Sequence, residues 1–179
     1  MPEGQKRCLV IVDVQGKLAR VMYNAEKLLS NILIMVKAAK ILNIPIIWCQ
    51  QNPQALGETV GEIAEQLADK RPINKMSFSC AGEAEFVKAI EAINPSEVLL
   101  VGIESHVCIC QTAIDLMRMG IGVSVIADAV SSRTAENREM AIERMKSKGA
   151  EITTTEMLLF ELLRTAEHSD FRQIAKLVK

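Results

Sequence analysis

The sequence predicts an α/β protein, a three-layer α/β/α sandwich around a mainly parallel, doubly wound sheet of Rossmann-like form. Two observations carry this expectation. Short apolar, β-branched runs alternate with stretches of helical apolar spacing along the whole chain. The runs are also apolar at consecutive positions rather than at every second one, as in strands buried on both faces. A sheet covered by helices on both sides satisfies both, and right-handed crossovers leave few topologies for it.

Residues 8–12, CLVIV, are the first such run, and Asp13 ends it. Residues 25–42 then place Leu28, Leu29, Ile32, Met35, Val36 and Ala39 at helical spacing, with Asn43 as a stop. Residues 44–49 are the second strand. The Gln51-Asn52-Pro53 turn opens the least regular stretch, residues 50–76, in which 59–68 have the spacing of a short helix. Further strands are predicted over 97–101, 123–127 and about 151–154, separated by helices over 82–93, 106–119 and 134–148. Two last helices are predicted over about 155–164 and 170–178. The first keeps Met157, Leu158, Leu159, Phe160, Leu162 and Leu163 apolar almost all round. A surface helix does not do this alone, so a homo-oligomer is expected.

The chain of 179 residues suits one domain, 1–179, with a substantial core. With 49% hydrophobic against 24% charged residues and a net charge of -1, it has the balance of a compact soluble protein. Nothing in that balance offers an electrostatic footprint for nucleic acid or an anionic membrane, so the expected partner is a small molecule. The amino-terminal MPEGQKRCLVIVDVQ has basic residues before an apolar stretch, but that stretch breaks at Asp13 and is too short for a secretory core. Five cysteines, an odd count without CxxC spacing, fit reduced thiols in the cytoplasm.

In open parallel sheets the ligand crevice lies beyond the carboxyl ends of the strands. Cys108 falls there, after the strand that Gly102 ends and beside a helix predicted to start at about His106. Helix-start N–H groups and the helix dipole favour a thiolate and can bind an oxyanion; the other reading of such a cysteine is packing. Asp13, at the tip of the first strand, reads as a general base or as a turn acceptor. Lys75 lies in the apolar, hydroxyl-rich INKMSFS, where an ammonium needs an anion such as Asp13, although most lysines are simply on the surface. Two histidines, His106 and His168, are far apart in sequence, and no Gly-x-Gly-x-x-Gly follows a strand. Neither a metal nor a dinucleotide is therefore expected.

The segments CLVIVDVQ, INKMSF and VLLVGIESHVCICQTAIDLMRMG, in that order, resemble the three motif blocks of the isochorismatase-like cysteine hydrolase superfamily. NPQALGETVGEI and DAVSSRTAENREMAIERMKSKGAEITTTEMLLFELL resemble its isochorismatase-domain-containing subgroup, so the likeness runs from about Cys8 to Val178. It implies a triad of Asp13, Lys75 and Cys108. Asp13 would take the thiol proton and later activate the hydrolytic water, and Lys75 would hold Asp13 ionised and balance the thiolate. The main-chain N–H groups of Glu104 and Cys108 would form an oxyanion hole, with the Ile103-Glu104 peptide bond cis. The Glu104 side chain is expected to be a solvated acid near the pocket mouth.

The same resemblance places supporting residues. Gln15 completes an Asp-x-Gln pattern that fixes local backbone geometry, and Leu18 stands where many members have an aromatic, implying an aliphatic wall. Cys49, Gln50 and Asn52 replace Thr, Glu and Tyr at the end of the second strand, so a relative's substrate does not carry over. His106 is expected to cap or line the helix start, and His168 to have no catalytic function. The loop QQNPQALGETV lacks the Asp and His cluster of metal-dependent nicotinamidases, again implying no metal and no cofactor. The implied activity is a metal-free cysteine hydrolase acting on a small amide or related carbonyl through a covalent thioester. Two other readings stay open: vinyl-ether hydrolysis of the isochorismate type, which needs an acid rather than a thiol, and a non-catalytic small-molecule-binding or scaffold protein.

Overall fold

A computed structural model describes residues 6–179, so the first five residues of the amino-terminal reading lie outside the described residues. Among the described residues six strands form one parallel sheet: β1 (Arg7–Val12), β2 (Ile46–Gln51), β3 (Ile73–Lys75), β4 (Glu97–Ile103), β5 (Gly122–Ser131) and β6 (Glu151–Thr153). Their order is β3-β2-β1-β4-β5-β6, every neighbouring pair parallel.

The consecutive apolar positions explain the layers. In β1, Leu9 and Ile11 enter one core, with α2 (Ala25–Ile41), α8 (Thr155–Leu163) and α9 (Phe171–Leu177) over it. Cys8, Val10 and Val12 enter the other, under α5 (Ala84–Ile93), α6 (Cys110–Arg118) and α7 (Ala135–Ser147). Both faces of the strand are therefore covered, and helices lie on both sides of the sheet as expected.

Strand order reverses between β1 and β4, which pair from Arg7↔Glu97 to Val12↔Gly102. The chain leaves β1 toward β2 and β3 and later returns to β4 on the opposite side. A crevice opens at such a switch point beyond the strand carboxyl ends. Asp13 follows β1 there, and Glu104 follows β4.

Several elements differ from the sequence reading. Strand β3 was not expected, because Ile73-Asn74-Lys75 has no apolar run; its pairing with β2, Gln51↔Lys75 included, makes it a strand. Strand β5 extends ten residues instead of ending at 127, and its register against β4 shifts between Leu100 and Gly102, a bulge that interrupts the apolar pattern at half-buried Ala127 and Asp128. Gly16–Arg20 forms a short helix, α1, and the turn at 51–53 continues into another, α3 (Pro53–Leu56), with proline at its first position. Residues 59–68 hold α4 (Gly61–Ala64) and a tighter turn at Glu65–Leu67. The helix predicted from 106 is replaced by a wide π turn, Ser105–Ile109, and α6 begins only at Cys110. In α8, Leu158, Leu159, Leu162 and Leu163 are buried, while Met157 and Phe160 face outward.

Candidate active site

Asp13 occupies the first position beyond β1 with φ 55°, a left-handed backbone that Asp tolerates better than most residues. Its N–H donates to the Cys49 carbonyl at 3.0 Å, which fixes the turn against β2. Lys75 ends β3, and its ammonium lies 2.7 Å from Asp13 Oδ2. It also donates to Gln51 Oε1 at 2.6 Å and to the carbonyls of Phe78 at 3.0 Å and Ser77 at 3.3 Å. Three neutral acceptors and one carboxylate surround an ammonium whose side chain is wholly buried. Glu83 holds the loop that supplies those carbonyls, accepting from the main-chain N–H groups of Met76 and Ser77 and from Ser77 Oγ.

On the other side of the switch point Gly102 has φ +122°, and a Cβ there would stand 2.1 Å from the Val12 carbonyl oxygen. Only glycine lets β4 close on the end of β1. One residue on, the Ile103-Glu104 peptide bond is cis. The chain then enters the π turn, in which Val107 N and Ile109 N both donate to the Glu104 carbonyl, at 3.1 and 3.2 Å. This turn carries Cys108, 7% exposed, to the crevice.

The electrostatics of the three groups are coupled. Burial pushes the Asp13 carboxyl up, opposed by the charge of the Lys75 ammonium 2.7 Å away and by the nearby Cys108 thiol. Burial pulls Lys75 down, but the negative charges of Asp13 and Cys108 outweigh it and the ammonium ends above its ordinary value. Cys108 is pushed up to about 12, first by burial and then by the charge of Asp13, with Lys75 pulling the other way. The sequence reading expected the helix start to favour a thiolate. Here desolvation and Asp13 together exceed what Lys75 supplies, so Cys108 is pushed up rather than down.

A cavity of about 120 Å³ opens over Cys108. Of the residues expected near it, Leu18 lines the wall, together with Ile103 and Glu104. The Glu104 side chain departs from its expected solvation: it is 12% exposed and pairs with Arg133 Nε at 3.1 Å. Gln15 stands behind the site, donating to the carbonyls of Gln51 and Gly57 and accepting from Gln51 N at 2.7 Å. Gln50 holds Thr59 through its N–H and hydroxyl and lies outside the lining. His106 Nδ1 is 2.9 Å from Ser132 Oγ and is also outside the lining. His168 lies near Asp170, at another cavity. Cys49 sits in β2, where the neighbouring Cys80 thiol and burial push it well above its ordinary value.

Gln51, Leu56, Phe78 and Val107 belong to the site without having been singled out. Gln51 is the second polar residue beyond the apolar IIWC run, at the same sheet edge as Asp13, and that placement was its available signal. Leu56 and Phe78 come from loops, whose conformations no periodicity encodes. Among the described residues no group of three or more His, Cys, Asp and Glu side chains is arranged to hold a metal ion.

A family model described as the isochorismatase domain matches residues 7–157. A secreted isochorismatase effector of Phytophthora sojae is 39% identical over 175 residues, covering 96% of this chain and 83% of the relative. Isochorismatase domain-containing protein 2 of Danio rerio is 38% identical over 171 residues, covering 95% and 85%. Among solved structures, that of a protein named MAR1 ribonuclease, from Caenorhabditis elegans, superposes with a TM-score of 0.91 at 35% identity, covering 97% of this chain and 90% of that one. The YcaC product of Escherichia coli, described as an octameric hydrolase of unknown specificity, gives 0.91 at 25% identity, covering 99% and 90%. Agreement in domain match, in full-length similarity and in the parallel sheet with its crevice leads to one assignment: this chain belongs to the isochorismatase domain family and has the isochorismatase-like hydrolase fold.

Proposed function

We propose that this protein is a cysteine hydrolase of small amides that works through Asp13, Lys75 and Cys108 without a metal. The observation that carries the reading is a buried carboxylate, held by an ammonium at 2.7 Å, that lines the same cavity as the Cys108 thiol and acts on it electrostatically. As Cys108 Sγ attacks the amide carbon, its proton passes to Asp13, so a free thiolate need never accumulate. The carbonyl oxygen takes the negative charge and is received by the main-chain N–H groups of Glu104 and Cys108. The carbon–nitrogen bond then breaks, Asp13 returns the proton to the departing nitrogen, and ammonia leaves an acyl thioester. Water attacks that thioester while Asp13 takes one of its protons. Collapse releases the acid and restores the thiol.

Lys75 keeps Asp13 charged against the burial that favours its neutral form. A vinyl-ether reaction of isochorismate would leave the thiol idle and bring two carboxylates to Glu104. RNA, the substrate class that the name of the nematode ribonuclease implies for that protein, would bring phosphates to the same carboxylate. Residues 1–179 are proposed to act as one cytoplasmic domain that assembles with itself, as the bacterial octamer does.

The test is ammonia release from a panel of small primary amides, with Cys108→Ala beside the native protein and intact mass recording acylated Cys108. Release abolished in the variant is expected. No release from any amide, or equal release by both proteins, defeats the reading.

A further inference from the structure

What acyl group the thioester would carry is written in the cavity walls. Outward from Cys108 these are Leu18, Leu56, Phe78, Ile103 and Val107. The polar groups at the lining are few, and most are occupied. Gln51 accepts from Lys75 through Oε1 at 2.6 Å and donates through Nε2 to the Met76 carbonyl at 3.0 Å. Lys75 is outside the lining, enclosed by Asp13, Gln51 and two carbonyls. No cation therefore lines the cavity among the described residues.

Two charged side chains remain at the lining: Asp13, which Lys75 pairs at 2.7 Å, and Glu104. The Glu104 carboxylate is 12% exposed and at the lining, while its partner Arg133 is 60% exposed and stands outside. A second carboxylate brought into this space by a ligand would meet Glu104 in a poorly screened setting and find no counter-charge. Size narrows the choice further. A dry apolar cavity of about 150 Å³ holds benzene, and this one is about 120 Å³. A short aliphatic chain fills it, and a six-membered ring is held less completely.

We propose that the site takes short, uncharged aliphatic primary carboxamides, and that Glu104 is the specificity determinant that turns away amides with a distal carboxylate. This rests on the cysteine-hydrolase reading for the word substrate, but the selectivity itself can be measured without turnover. Aldehydes serve as carbonyl probes with no leaving group. The Cys108 thiol adds across the C=O bond, sulfur bonding to carbon and the thiol proton ending on the new hydroxyl, to give a reversible hemithioacetal with no redox change.

Butanal, succinic semialdehyde and benzaldehyde would be compared for protecting Cys108 from iodoacetamide, read by peptide mass and normalised to each aldehyde's affinity for a free small-molecule thiol. Butanal should protect at concentrations about tenfold lower than the semialdehyde, the size of effect one partly screened like charge produces, and should also outperform benzaldehyde, whose ring is larger than the chain this space suits. Glu104→Gln should narrow the gap between butanal and the semialdehyde. Added salt should narrow it in the native protein, which keeps the test independent of whether that variant folds. Equal protection by butanal and the semialdehyde, or a gap indifferent to both salt and Glu104, overturns the proposal. Ammonia release from butyramide and succinamate, run in parallel, separates the two readings. Selective protection with no release from either amide overturns the hydrolase reading and leaves the selectivity standing. Equal release from both overturns the selectivity and leaves the hydrolase.

Discussion

Lys75 Nζ meets Asp13 Oδ2 at 2.7 Å although their strands are not neighbours in the sheet: β2 lies between β3 and β1. Two strand spacings separate them, about 9–10 Å, and a lysine stem is long enough to cross. The crossing also explains Gln51, which ends β2 directly opposite Lys75 and receives the ammonium on its way. The pair ties three carboxyl-terminal strand ends together at the place where the fold opens its crevice.

Replacing Lys75 by Met should therefore cost more than a surface ion pair would. Removing one partner of a buried pair leaves the other charge uncompensated, a loss of about 3–5 kcal/mol, to be read from urea denaturation. Lys75→Arg should not rescue activity, because a planar guanidinium cannot occupy the position of a point-like ammonium among four acceptors. A Lys75→Met protein as stable as the native one would show that the ion pair contributes nothing to the fold.

Asp13→Asn separates two effects that move in opposite directions. The amide cannot accept the thiol proton, so turnover should fall by about 10²–10⁴-fold, the range of a lost general base. The negative charge that helps push Cys108 up to about 12 also disappears, so the thiol should titrate lower than in the native protein. Thiolate absorbance against pH, with Cys108→Ser as the blank, measures this directly. If the native protein turns over amides as proposed, the acid limb of its kcat/KM should lie above an ordinary aspartate, since burial raises Asp13 and only its ionised form is a base. A thiol that titrates higher in the variant would contradict the electrostatic account.

Stability should decline on the alkaline side. Cys8 and Cys108 are each raised from 9.0 to about 12, and Lys75 is raised above 10.5. In each case the folded state favours the protonated form. The resulting stabilisation is complete below the unfolded values, 9.0 for the thiols and 10.5 for the lysine, and is lost as pH rises through the folded ones. The urea midpoint should therefore begin to fall above pH 9.0. A midpoint that stays flat up to about 12 would mean that these groups titrate as they do in the unfolded chain.

Gly102→Ala should fail at the level of the fold. Its φ of +122° is foreign to an alanine, and the new Cβ would lie 2.1 Å from the Val12 carbonyl oxygen, a backbone atom that cannot swing aside. The variant should be insoluble or markedly destabilised by circular dichroism. Native-like melting would mean that β4 can retreat from β1 at little cost.

Much of this molecule is legible in the sequence because apolar runs report burial directly. CLVIV and VLLVG are buried along their length, and β1 and β4 lie where those runs predict. Asp13 and Cys108 could be assigned to one sheet edge because each follows a strand. Strand β3 was not legible: a three-residue strand defined by pairing with β2 has no periodicity of its own. The π turn was hidden for a related reason, since HVCICQTAIDLM is apolar at helical spacing whichever residue starts the helix. The upward push on Cys108 was out of reach as well, because it depends on how much solvent Cys108 loses, which is a property of packing and not of neighbours in sequence.

The outward face of α8 bears on the proposed self-association. Met157 is 62% and Phe160 41% exposed, and the Phe160 ring meets Phe171 of α9 edge to face at a centroid distance of 6.3 Å, so the two helices carry one apolar surface. The same helix buries Leu158, Leu159, Leu162 and Leu163 against the sheet, which means that folding accounts for its inner face and not for Met157 or Phe160. A second copy of the chain would remove that outer surface from water. Met157→Glu should then lower the assembly mass seen by light scattering at micromolar concentration. The monomer fold should remain, because an exposed substitution away from the core changes stability by only about 0.5 kcal/mol. If the native chain already scatters as a monomer, self-association is wrong; if it is an oligomer that Met157→Glu leaves intact, its interface lies elsewhere.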